Sequence, residues 1–185
     1  MAEMKMTIPN LITSIRIILV PIFVIYLIND KLLDALVVFI LAGLSDAADG
    51  FIARLFDQKS KLGSYLDPLA DKILLVAAFV VLAVMDLIPP WLTVVVISRD
   101  VLILLGVLIL FLNGTDFTVR PSFLSKMTTC IQLVTVFAVL SAGYFHVFSQ
   151  INGYLFWATG ILTVSSGLHY MRHWFRMMGE GPMSD

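Results

Sequence analysis

Almost the whole chain is a succession of apolar runs, each about twenty residues long and parted from the next by a few polar or turn-forming residues. A run of that length, held as a helix, matches the thickness of the hydrocarbon core of a bilayer. Of the 185 residues, 59% are hydrophobic and only 14% are charged, so the chain is too apolar for water. Its length suffices for about six membrane spans. The breaks place helices at about 8–28, 32–56, 65–86, 90–112, 122–143 and 151–171. Asn29-Asp30-Lys31 ends the first, Asp86 through Pro90 parts the third from the fourth, Asn113-Gly114-Thr115-Asp116 follows the fourth, and Arg120-Pro121-Ser122 opens the fifth. No internal repeat, low-complexity segment or soluble domain interrupts this order. The expected fold is therefore an all-α integral membrane protein of six transmembrane helices. It forms one transmembrane domain over 1–178, followed by a short cytoplasmic tail over 179–185.

The first run resembles a signal peptide in having Lys5 ahead of an apolar stretch. Arg16 interrupts that stretch and no small-residue cleavage site follows, so a retained first span is expected. With the N-terminus inside, Lys5, Arg54, Lys59, Lys61, Arg120, Arg172 and Arg176 fall at or near the inner face, and only Lys31 falls outside. Both termini and the loop at about 57–64 are then cytoplasmic, as in a multi-pass protein of the inner (cytoplasmic) membrane. Trp91, Trp157 and Trp174 are expected as interfacial anchors. The single cysteine, Cys130, is expected as a small buried apolar residue. A net charge of -1 gives no indication of nucleic-acid binding.

Four aspartates break the apolar pattern. The second helix ends Ser45-Asp46-Ala47-Ala48-Asp49-Gly50-Phe51-Ile52-Ala53-Arg54, where the helical period puts Asp46, Asp49, Gly50 and Ala53 on one narrow face. The third opens Asp67-Pro68-Leu69-Ala70-Asp71, with its two carboxylates one turn apart. A short loop makes the two helices antiparallel neighbours, so the pairs can face each other just inside the membrane. Unpaired carboxylates there are costly, and like charges raise one another's pKa. One or two divalent cations would offset the cost, and all-oxygen ligation suits Mg²⁺ or Mn²⁺. Static ion pairs with Arg54 and Lys72, or a cation or proton pathway, are the competing readings. Gly50 and Ala53 either admit a ligand close to the backbone or simply pack helices.

The pattern Asp46-x-x-Asp49-Gly50-x-x-Ala53-Arg54, then Gly63, Asp67 and Asp71 at fixed intervals, resembles the signature of the CDP-alcohol phosphatidyltransferase family. Eight fixed residues across positions 46–71 make a chance match improbable. The opening Ile8-Pro9-Asn10-Leu11-Ile12-Thr13-Ser14-Ile15-Arg16 is similar to the start of phosphatidylglycerophosphate synthases and CMP-forming cardiolipin synthases. Asp86-Leu87-Ile88-Pro89, Ile97-Ser98-Arg99-Asp100 and Arg120 through Lys126 look more like the cardiolipin synthases.

The resemblance implies a six-helix bundle, usually homodimeric, around a cytoplasm-facing polar cavity. It implies that Asp46, Asp49, Asp67 and Asp71 bind two ions, with Asp71 also the general base. Gly50, Ala53 and Gly63 would line the nucleotide site, and Arg54 would lie near the diphosphate. The implied donor is CDP-diacylglycerol, a lipid that needs a site at the inner interface. The acceptor is a glycerol compound, with glycerol 3-phosphate ranked ahead of phosphatidylglycerol. Direct displacement is favoured, since none of His146, His169 and His173 is followed two residues later by the lysine of a phospholipase D-type motif.

Further cations invite two readings each. Arg99, inside the fourth run, either binds acceptor phosphate or makes a static pair with Asp100 or another aspartate. Arg120 and Lys126 either bind phosphate or anchor topology. Arg16, with Asn10 and Thr13, is a possible ligand group at the inner mouth. A transporter would use the carboxylates as an ion path, but no repeat or broken-helix signal supports one. A non-catalytic scaffold would not need them at all.

Overall fold

A computed structural model describes the backbone of residues 8–56, 63–112 and 123–179, and the side chains of residues 18–45, 72–106, 123–145, 148 and 150–172. The described residues form six α-helices and no strand: α1 Ile8–Ile28, α2 Leu32–Phe56, α3 Gly63–Val84, α4 Pro90–Leu112, α5 Phe123–Ser141 and α6 His146–Gly179. Lys5, Lys59, Lys61, Arg120 and all of the tail but Gly179 lie outside the described residues.

Two helix ends use the same device. At the end of α1, Asp30 has φ 56°. Its N–H donates to Leu27 O, and the Lys31 N–H reaches back to Tyr26 O. At the end of α3, Asp86 has φ 58°. Its N–H donates to Ala83 O, and the Leu87 N–H reaches back to Leu82 O. Both are Schellman caps with aspartate in the left-handed position that glycine usually fills. They fix the two breaks that the polar residues mark in the sequence.

Three boundaries differ from the sequence reading. The α3 helix lies two residues earlier than expected, because Asp86 belongs to its cap. The α5 helix stops at Ser141, where the Tyr144 and Phe145 N–H groups both bond Ser141 O and close a turn. The α6 helix is much longer than expected, running 34 residues. Its start at His146 follows directly from that turn, and no proline or glycine interrupts it between Leu168 and Met178. At 1.5 Å per residue it is about 51 Å long.

The apolar core gathers Phe23 and Leu27 of α1, Ala35, Phe39 and Ala42 of α2, Leu75, Phe79 and Leu82 of α3, Leu92 and Val96 of α4, and Val136 and Leu140 of α5. The α1 helix packs on both α2 and α3, and α5 also touches both. The α4 and α5 helices pack on α6.

The interface of α5 with α6 is polar. Thr128, Gln132 and Thr135 on α5, and Thr159, Thr163 and Ser166 on α6, are all fully buried. They bond across the seam in antiparallel order. The Thr135 and Thr159 hydroxyls lie 2.7 Å apart, Gln132 Nε2 donates to Thr163 Oγ1 at 3.2 Å, and Thr128 Oγ1 bonds Leu162 O at 3.2 Å.

The outside is the reverse. Large aliphatic side chains such as Ile18, Ile25, Leu41, Leu44, Val94 and Leu104 are exposed. Among the described residues, Phe123–Ser141 is the helix long and apolar enough to cross a membrane, and shorter apolar stretches run over Ile18–Ile28, Leu32–Ser45 and Lys72–Val84.

Cys130 is exposed rather than buried as expected. The buried stripe of α5 runs through residues 128, 132 and 135, and position 130 lies across the helix from it.

Candidate active site

The aspartates stand on two continuous helices. Asp46 and Asp49 fall in the last third of α2, three residues apart, and Asp67 and Asp71 fall in the first turns of α3, four residues apart. The helical backbone therefore puts each pair on one face, as the spacing requires. Gly50, Ala53 and Arg54 follow on α2, and Gly63 opens α3. The side chains of these residues lie outside the described ones, as does Arg120 entirely. The described residues contain no group of three His, Cys, Asp or Glu fit to hold a metal; the four aspartates are not among them. Their chemistry nonetheless fits a hard divalent ion, since four carboxylates on one helix end and the next helix start offer oxygen ligands only.

A charged node begins at Lys72, the residue after Asp71. Lys72 Nζ donates to Asp100 Oδ1 at 2.5 Å. Arg99 Nη1 donates to the same oxygen at 2.8 Å. Arg99 Nη2 donates to Ser125 Oγ at 2.6 Å and to Ser166 Oγ at 3.0 Å. The guanidinium carbon lies 5.9 Å from the centre of the Tyr170 ring, within cation–π range. One carboxylate oxygen thus joins α3 to α4, and one guanidinium joins α4 to α5 and α6. Arg99 and Asp100 are only 4% and 5% exposed. Among the described side chains, two cations meet one carboxylate here. Among the described residues, Arg99 Nε and Asp100 Oδ2 have no hydrogen-bond partner.

The structure therefore shows the Arg99–Asp100 pair that the sequence offered as one of two readings. Lys126 is exposed on the first turn of α5, next in the chain to Ser125. Lys72, Asp100, Ser125, Ser166 and Tyr170 were not among the site residues drawn from the sequence. Only two signals pointed to them: a lysine directly after Asp71, and an Arg-Asp pair inside an apolar run. The hydroxyl partners lie 26 and 67 positions from Arg99, beyond the reach of any intrahelical pattern.

A six-helix bundle with a polar seam, aliphatic flanks and two aspartate pairs at the junction of α2 and α3 has the form of a membrane-associated enzyme. The chain belongs to the CDP-alcohol phosphatidyltransferase family, whose model matches residues 6–165. The CMP-forming cardiolipin synthase of Homo sapiens is 39% identical over 94% of this chain. That of Rattus norvegicus is 38% identical over the same share. The chain spans 63% of the length of each of these two relatives. The CDP-diacylglycerol--glycerol-3-phosphate 3-phosphatidyltransferase of Bacillus subtilis (strain 168) is 34% identical over 90% of this chain and 94% of its own length.

Proposed function

We propose that the protein is a multi-pass membrane enzyme that transfers the phosphatidyl group of CDP-diacylglycerol to a glycerol-type alcohol and releases CMP. The observation that carries this reading is the eight-residue aspartate pattern. Both of its halves fall on unbroken helical backbone, inside the span matched by the family model. The aliphatic exterior and the buried polar seam of α5 with α6 support lipid around the bundle, because a bundle in water hides the first and displays the second.

Asp46, Asp49, Asp67 and Asp71 would hold two Mg²⁺ or Mn²⁺ ions. Bound there, the ions supply charge neutralisation at the diphosphate and at the departing CMP. Gly50 and Ala53, which carry little or no side chain, leave room on the α2 face for the nucleotide, with Gly63 at the start of α3 and Arg54 beside the diphosphate. Asp71 takes the proton of the acceptor hydroxyl. The alkoxide oxygen forms a bond to the phosphorus that carries diacylglycerol, and the bond from that phosphorus to the CMP oxygen breaks. The site faces the cytoplasm at the inner membrane surface, where cytidine meets water while the acyl chains stay in the bilayer. The enzyme works as a homodimer.

Two acceptors fit a glycerol-type alcohol. Glycerol 3-phosphate is supported by the bacterial relative that matches almost end to end. Its two charges would draw on Arg99, Arg120 and Lys126. Phosphatidylglycerol is supported by the two mammalian relatives. The deciding experiment incubates purified protein with CDP-diacylglycerol, Mg²⁺ or Mn²⁺, and each acceptor in turn. CMP release that needs both metal and acceptor is the expected outcome. No CMP release with any glycerol acceptor would remove the reading.

A further inference from the structure

Two directional bonds join α3 to α4 along their seam. Toward the aspartate-bearing start of α3, Lys72 Nζ donates to Asp100 Oδ1 at 2.5 Å. Further along, Thr93 Oγ1 donates to Phe79 O at 3.0 Å. Positions 72 and 79 on α3, and 93 and 100 on α4, are each two turns apart, so each pair shares one face of its helix. The two bonds therefore hold one antiparallel register, at points about 10 Å apart along the seam. Asp100 is held in turn. Arg99 donates to the same oxygen at 2.8 Å and is itself bonded to Ser125 of α5 and Ser166 of α6. The α3 helix also packs on α1 through the apolar core, but apolar packing is not directional and sets rotation less sharply.

We propose that Lys72 and Asp100 are positioning residues: their ion pair, with the Thr93 bond two turns away, sets the rotation and register of α3 and so where its aspartate face stands. The inference rests on the phosphatidyl-transfer reading, in which Asp67 and Asp71 of α3 hold ions together with Asp46 and Asp49 of α2. At about 100° per residue, the face carrying Asp67 and Asp71 lies about 100–140° around α3 from Lys72. Fixing Lys72 against α4 therefore fixes that face. The tolerance is small. A rotation of α3 by about 20° moves atoms at its outer radius of about 5–6 Å by about 2 Å. That displacement equals a whole bond from Mg²⁺ to oxygen, about 2.0–2.1 Å, and Mg²⁺ demands near-ideal geometry. In this role Lys72 acts through the helix, while its charge works the other way. An ammonium one residue from a carboxylate pair repels a divalent cation. Positioning and charge thus predict opposite effects of removing it.

The test titrates Mn²⁺ into the purified protein in phosphatidylcholine nanodiscs, without substrate, and reads free Mn²⁺ by electron paramagnetic resonance. Lys72→Met removes the bond to Asp100 but leaves the Arg99–Asp100 pair in place, so no buried charge is stranded. It should weaken Mn²⁺ binding about tenfold, the low end of what a residue that orients metal ligands is worth. Lys72→Arg can bond Asp100 again and should restore binding to within about twofold. Thr93→Val changes no charge and acts from the other end of the seam. It should weaken binding about twofold to threefold, the worth of an average hydrogen bond between membrane helices. In turnover assays Lys72→Met should lower kcat and leave the KM for the acceptor unchanged. Mn²⁺ binding that is unchanged or tighter in Lys72→Met would overturn the inference, as would unchanged binding in Thr93→Val. A raised acceptor KM with unchanged Mn²⁺ binding would make Lys72 an acceptor ligand instead, and would overturn it too. Wild-type protein that binds no Mn²⁺ would remove the metal reading and this inference with it, whereas variants that match a Mn²⁺-binding wild type would remove this inference alone.

Discussion

At Asp100 one carboxylate oxygen accepts hydrogen bonds from cations on two helices, Lys72 of α3 and Arg99 of its own α4. Arg99 is almost fully buried, and its charge is tolerable only while that carboxylate faces it. Asp100→Ala should therefore cost about 3–5 kcal/mol, the usual penalty for stranding one member of a buried pair. Replacing both residues, Arg99→Met with Asp100→Ala, should recover most of the loss, because no buried charge then remains. Unfolding in detergent, compared across the two single variants and the double variant, measures this directly. If the double variant is as unstable as Asp100→Ala alone, the pair is not the source of the penalty. Asp71 makes a different prediction, since its proposed work is chemical. Asp71→Asn keeps size and polarity but cannot take a proton at neutral pH, so turnover should fall at least about 10²-fold. Binding of CDP-diacylglycerol should persist, because three carboxylates remain to hold the ions. Single-turnover CMP release and equilibrium binding of the CDP-lipid separate the two effects, and near-normal turnover would exclude Asp71 as the base.

At the level of the helices, the two Schellman caps explain why the chain turns where it does. Asp30 and Asp86 sit at positive φ, which costs a residue with a side chain roughly 1 kcal/mol, less for aspartate than for most. Asp86→Gly should leave stability unchanged or raise it by up to about 1 kcal/mol, while Asp86→Val should lower it by more than that, since a β-branched residue resists this conformation. Thermal unfolding of the two variants is the measurement, and equal destabilisation by both would show that the aspartate side chain, not its backbone, matters there. The breaks at these caps, though not the caps themselves, were legible in the sequence because turn-forming residues stand out between apolar runs. The ends of α5 and α6 were less so. Ser149 and Gln150 look like a break but are compatible with a helix, and the chain actually turns through Gly143 and Tyr144. The aspartate faces were legible for the same reason as the helices, since both follow from intrahelical spacing. The charged node and the polar α5–α6 seam were not. Each depends on which helices touch, and no periodicity records that the partner of Arg99 is Ser166. Cys130 was misread because α5 buries its polar stripe of Thr128, Gln132 and Thr135 and turns the apolar residues around Cys130 outward, the reverse of the pattern a small apolar residue suggests.

Across the whole molecule, the arrangement of charge predicts which way the bundle faces. Basic residues gather near one end of the apolar runs, at Lys59, Lys61, Arg172 and Arg176, while Lys31 stands alone in the turn between α1 and α2. The α6 helix adds to this asymmetry. At about 51 Å it exceeds a hydrocarbon core of about 30 Å, so it must project from the membrane at an end. Its C-terminal turns carry Arg172, His173 and Arg176, which cannot remain in lipid, so the projection belongs on the side where those cations reach water. By the positive-inside tendency, the proposed orientation puts that side in the cytoplasm. A cysteine placed at Lys59, in the segment between α2 and α3, should then react with a membrane-impermeant maleimide only in inside-out vesicles. One placed at Lys31 should react only in intact cells. Cys130 is exposed on α5 and would confuse the signal, so both are made in a Cys130→Ser background. The opposite pattern would put the aspartates and the CDP-lipid on different sides of the membrane, and the proposed reaction could not occur in that orientation. Labelling of both positions from one side would instead reject the membrane crossing of α2, because an odd number of crossings must separate the two.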